Sequence, residues 1–119
     1  MISDYVAAYN AFDVDGMLTH LHQEIRFQNI SGDEVNLATE GIREFAAQAE
    51  SAKAYFKERR QSITALSVEG DKVTIDIDYF GLLAIDLPNG MKAGDTLELQ
   101  GQSVFEFSEG KIVSITDRS

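Results

Sequence analysis

Apolar residues recur with helical spacing from the start of the chain: Ile2, Tyr5, Val6, Tyr9 and Phe12 fall on one face at i, i+3, i+4 and i+7. Asp13 follows as the N-cap of a short second helix carrying Met17, Leu18 and Leu21. The period then drops to two. Ile25, Phe27 and Asn29 alternate with Arg26 and Gln28, which predicts a short strand that points Asn29 inward with its apolar neighbours. Residues 31–38 are polar and read as a loop. Thr39 stands as the cap of a third helix, whose inward stripe runs through Ile42, Phe45, Ala46, Ala49 and Ala52 to Lys53 and Phe56.

From there the pattern is that of strands. Residues 59–69 form one, closed by the turn residues Glu69, Gly70 and Asp71. Val73, Ile75, Ile77 and Tyr79 alternate with Thr74, Asp76 and Asp78, so the next strand has one polar face. Residues 86–94 hold the single proline and read as turns. Leu97, Leu99, Gly101, Ser103, Phe105 and Phe107 share one face of a long strand, with Glu98, Gln100, Gln102 and Glu106 on the other. Ser108-Glu109-Gly110 turns the chain into a last strand, 111–117. Helices first and strands afterwards predict an α+β fold: three helices on the concave face of a curved, mainly antiparallel sheet, with room for a cavity between the layers.

The 119 residues make one domain, 1–119, long enough for a core of its own. Apolar residues are 44 % of the chain, an ordinary globular share. There is no cysteine, which excludes disulfides, thiol catalysis and thiolate metal sites. A net charge of −10 argues against nucleic acid and anionic membranes as partners and is read as a solubility feature. No apolar run is long enough to span a membrane and no export signal opens the chain, so a cytoplasmic location is expected. No glycine-rich phosphate loop or metal-ligand cluster is present, so no cofactor and no metal are expected. His20 and His22, two apart, do not face each other on a helix. His20 reads as a surface residue and His22 as part of the turn before the first strand.

Three segments carry a resemblance. Residues 5–16, Tyr-Val-Ala-Ala-Tyr-Asn-Ala-Phe-Asp-Val-Asp-Gly, are similar to the first helix and turn of the bacterial ketosteroid isomerases. Glu40-Gly41-Ile42-Arg43-Glu44-Phe45 is similar to the start of their third helix, with no gap between the two segments. The hairpin from Phe105 to Ser114 resembles the end of that family, one residue shorter at the turn, and also the matching hairpin of SnoaL-like polyketide cyclases. The chain thus resembles the nuclear-transport-factor-2-like superfamily, which has a cystatin-like fold. The resemblance implies a cone-shaped α+β domain with an internal pocket and a homodimer through the outer sheet face.

In ketosteroid isomerases an aspartate base moves a proton alpha to a carbonyl, while a tyrosine and a protonated aspartic acid donate to the oxyanion. By resemblance the tyrosine falls on Tyr5, the base on Asn29, the second donor on or near Ser103, and a pocket phenylalanine on Phe45. An amide has no proton acceptor that titrates near neutral pH, so Asn29 cannot be the base. Steroid isomerisation by that route is therefore not expected.

Asp117 is the one remaining inward candidate for an acid or base. If Val113 and Ile115 face the cavity, alternation places Asp117 there too, and SnoaL-like cyclases use an aspartate on a late strand. The competing reading is a solvated acid near the chain end. Asp76 and Asp78 belong to the outer face. Leu82, Leu83, Ile85, Leu87 and Met91 add apolar weight around 86–94, as a lid or an interface.

Three functions follow. The first is a pocket protein for a small apolar molecule with a carbonyl or phenol oxygen, held by Tyr5, Asn29 and Ser103 between Phe27, Phe45, Phe105, Val113 and Ile115. The second is an enzyme of another proton transfer, such as a polyketide-type cyclisation, using Asp117, with Tyr5 as oxyanion donor. The third is an interaction domain whose seven phenylalanines fill the core.

Overall fold

A computed structural model describes residues 2–88 and 90–119. The elements run α1 (Ile2–Asn10), α2 (Val14–Leu18), β1 (Leu21–Ser31), β2 (Glu34–Glu40), α3 (Ile42–Lys53), β3 (Phe56–Glu69), β4 (Lys72–Leu83), β5 (Thr96–Ser108) and β6 (Lys111–Arg118). The strands form one six-stranded sheet in the order β2-β1-β6-β5-β4-β3. β1 and β6 pair in parallel and every other pairing is antiparallel. The fold is α+β, with a curved, mixed sheet and a few helices.

Helix α1 buries Tyr5, Val6 and Ala8, the face its spacing predicts, and ends at Asn10. Phe12 lies beyond that end at φ 58, so it leaves the helical stripe. Asp13 caps α2: its Oδ1 accepts the Gly16 N–H at 3.0 Å. A Cβ on Gly16 would stand 2.4 Å from the same carboxylate, so the close cap needs glycine there.

The polar stretch read as a loop contains strand β2, which pairs with a β1 far longer than five residues. Edge pairing supplies the hydrogen bonds that an apolar pattern would otherwise announce, and most β2 side chains remain exposed. Thr39 is accordingly a buried strand residue, and Gly41 at φ 86 takes the N-cap position of α3. His22 lies in β1 and accepts the Glu24 N–H on Nδ1.

Ile25, Ile75, Phe105, Ile112 and Ile115 are at most 1 % exposed and bind the sheet to α1 and α2. Each such side chain contributes about 1.5–3 kcal/mol of burial free energy. Asp76 and Asp78 are exposed on the outer face, as the alternation of β4 requires. Of the apolar group around the turn-rich segment, Leu83 is fully buried and Ile85 is 38 % exposed; Asn89 lies outside the described residues. Asp86 and Asp95 brace this segment by accepting the N–H groups of Ala93 and Lys92.

Candidate functional site

Cross-strand register decides what reaches the inner face. Asn29 of β1 stands beside Asp117 of β6, and Asp117 beside Ser103 of β5, which in turn faces Ile75 of β4. Neighbouring strands lie about 4.8 Å apart, so Asn29, Asp117 and Ser103 form one polar row inside an apolar sheet face.

Over this row lies a cavity of about 330 Å³, within the range of small-molecule sites. Tyr5 and Tyr9 reach it from α1, Phe45 from α3, Phe27 and Asn29 from β1, and Asp117 from β6. Thr39, Arg59 and Gln61 enter from the two edge strands. A second cavity of about 290 Å³ continues towards Tyr79, Leu97 and Gly101. Both touch Tyr9, Asn29, Phe56, Gln61 and Asp117.

Asp117 is half-buried, and the surface it keeps belongs to these cavity walls. Ser103 Oγ donates to its Oδ1 at 2.6 Å. Burial pushes the Asp117 carboxyl up to about 6, against the opposing pull of the Ser103 hydrogen bond. Tyr5 is 6 % exposed and packs its ring edge-on to Phe105 at 5.9 Å. Burial, and then the nearby Asp117 charge, hold the Tyr5 hydroxyl well above the ordinary phenol range, so it keeps its proton and can donate. The Tyr9 hydroxyl shares a 2.9 Å hydrogen bond with Tyr79, and burial raises both phenols.

Three buried polar side chains, Thr39, Arg59 and Ser103, are found among the described residues, and all belong to this site. Ser103 serves Asp117. Arg59 donates from Nε to the Tyr9 carbonyl oxygen at 2.9 Å, which ties α1 to β3. Its guanidinium lies 3.8 Å from the Tyr9 ring centroid and 4.5 Å from that of Phe12. Arg59 Nη2 and Thr39 Oγ1 are buried without any hydrogen-bond partner. A buried polar group left unpaired costs about 1–3 kcal/mol, more when charged.

The expected site residues divide cleanly. Tyr5, Phe27, Asn29, Phe45 and Asp117 meet on one cavity wall. Ser103, Phe105 and Ile115 do not line it: they are at most 2 % exposed and lie in the core behind. Val113 also falls outside the wall. It is the extra residue of a β-bulge, between the pairs Phe107–Ile112 and Glu106–Ser114, and Ile112 takes the buried position instead. Asn29 donates its amide to Asn36 Oδ1 at 2.8 Å. Arg59 and Gln61 were not among the expected site residues, and Thr39 was expected only as a helix cap. The inward sharing of Arg59 with Gln61 on β3 was the available signal, hidden because six polar residues run together at 57–62.

The SnoaL-like domain model matches residues 2–115. The chain belongs to the SnoaL-like domain family. With its structural neighbours, this places the SnoaL-like chain in the nuclear-transport-factor-2-like superfamily. A proposed polyketide cyclase from Xanthomonas campestris pv. campestris is similar at a TM-score of 0.85 and 19 % identity, over 99 % of this chain and 86 % of that one. A protein of ketosteroid isomerase-like fold from Catenulispora acidiphila, in complex with trimethylamine, gives 0.80 and 16 %, over 98 % and 82 %. AclR, a proposed hydroxylase from Streptomyces galilaeus, gives 0.76 and 19 %, over 98 % and 83 %. No curated protein matches. Identities this low carry the fold of the SnoaL-like domain and leave its reaction to its own residues.

Proposed function

We propose that this SnoaL-like protein binds a small, largely apolar molecule with a carbonyl or phenol oxygen and moves a proton on it, with Asp117 as the acid/base. One observation carries the reading. The Asp117 carboxyl stands on the strand adjacent to Asn29, on the cavity wall and backed by Ser103. Above pH 6 the Asp117 carboxylate takes a proton alpha to the carbonyl. The neutral Tyr5 hydroxyl donates to the oxyanion that forms, and Asp117 then returns the proton to another atom of the same substrate. Phe27 and Phe45, edge-on at 5.8 Å, supply an apolar wall for the ring system. A similar structure described as a proposed polyketide cyclase is in keeping with proton transfer of this kind.

Binding without turnover is the second reading, and Asn29, an amide on the cavity wall hydrogen-bonded to Asn36, favours it. The two are separated by NMR of α-proton exchange in 2-tetralone in deuterated buffer. Proton transfer predicts saturable exchange that falls by about 100-fold or more in Asp117→Asn. Equal exchange by both proteins would leave binding alone. Pairing of two copies through the outer sheet face, where Arg60 lies over the Phe80 ring, completes the proposal. A monomer on sedimentation analysis would remove that part.

A further inference from the structure

We infer that the natural ligand carries a carboxylate, and that this group docks on the guanidinium of Arg59. This deepens the reading of the same cavity and rests on it. Arg59 is 3 % exposed and lines the cavity wall. Arginine keeps its charge in proteins, so this position places a fixed cation inside a chain whose net charge is −10. Among the described residues no carboxylate pairs with it.

What the protein itself gives Arg59 is incomplete in a directional way. The guanidinium carbon lies over the Tyr9 and Phe12 rings. Of its donors, Nε alone has an acceptor, the Tyr9 carbonyl oxygen, and Nη2 is orphaned. A residue kept only to fasten α1 to β3 would use that one bond and would not require a planar fork with unused donors. The open requirement is an acceptor for Nη2, and a carboxylate meeting the Nη1–Nη2 end of the guanidinium would supply it. Thr39, at the other edge of the sheet, presents a second orphaned hydroxyl to the same cavity. The ligand is therefore bifunctional: its acid group is held at Arg59 and its reacting oxygen lies beside Tyr5 and Asp117.

The test uses the whole protein and two planar probes of similar size, 2-naphthoate and 2-acetylnaphthalene, with affinities measured by calorimetry at pH 7.5. The charge-assisted pairing predicts that wild type prefers the carboxylate by roughly 10- to 150-fold. Arg59→Met abolishes that preference while keeping affinity for the neutral probe. Arg59→Lys, which keeps the charge and loses the fork, keeps only part of the preference. Equal binding of both probes by wild type, or a preference that survives in Arg59→Met, overturns the inference and leaves the cavity reading intact. Should Arg59→Met fail to fold, the wild-type comparison and Arg59→Lys still decide. An undiminished preference in Arg59→Lys counts against the fork. Failure of both probes to bind wild type removes the cavity reading and this inference with it.

Discussion

Asp117→Asn exchanges one oxygen for an NH2 group and leaves Ser103 an acceptor, so it isolates the charge of the carboxyl. In the unfolded chain that carboxyl has its ordinary value of 3.8, and in the folded protein it titrates at about 6. Between those values the folded state holds the proton and the unfolded state has lost it, so stability falls as pH rises through the window. Below it the penalty is absent, and above pH 6 it is complete. At about 1.4 kcal/mol per pH unit, the buried charge costs about 3 kcal/mol at pH 8 and about 0.5 kcal/mol at pH 4. Asparagine never bears that cost but buries an amide NH2 in place of an oxygen, a desolvation loss of about 1 kcal/mol. The variant is thus expected to be more stable than wild type by about 2 kcal/mol at pH 8, with no advantage at pH 4. Urea denaturation of both proteins at the two pH values reads this directly, and the melting midpoint at pH 8 should rise by roughly 6–10 °C. A variant no more stable at pH 8, or a difference that is the same at both values, would refute the argument from desolvation.

Other expectations follow from single side chains. Tyr5→Phe should leave urea stability nearly unchanged, while α-proton exchange in 2-tetralone slows by roughly 10- to 100-fold with the loss of the oxyanion donor. Thr39→Val removes an orphaned buried hydroxyl at constant shape and should raise stability by up to about 1 kcal/mol in urea titrations. Gly101→Ala puts a Cβ 2.8 Å from the Arg118 carbonyl oxygen, so it should destabilise by about 1–3 kcal/mol and shift Asp117 next door, seen as a lower melting midpoint.

How far the sequence could be read depended on what fixes each feature. The helical stripe of α1, the alternation of β4 and β5 and the cap at Asp13 are local and were legible. Strand β2 was not, because an exposed edge strand is held by backbone pairing with β1 and needs no apolar pattern. The boundary of α1 was drawn too late because Phe12 continues the period while its φ of 58 ends the helix. Asp117 was legible by alternation from Ile115, but the premise that Val113 shares that face failed at a bulge that no residue type announces. Arg59 and Thr39 were illegible for a different reason: a buried polar residue inverts the usual relation between polarity and exposure, and only the packing around it reveals the inversion.

A desolvated carboxyl stands at position 117 on the cavity wall. Carbon-13 NMR of Asp117 in the whole protein, titrated with and without saturating 2-tetralone, measures it directly. A midpoint near 6 is expected in the free protein, and one that changes when the ketone displaces water from the cavity. A midpoint near the ordinary value of 3.8, unmoved by the ketone, would contradict it.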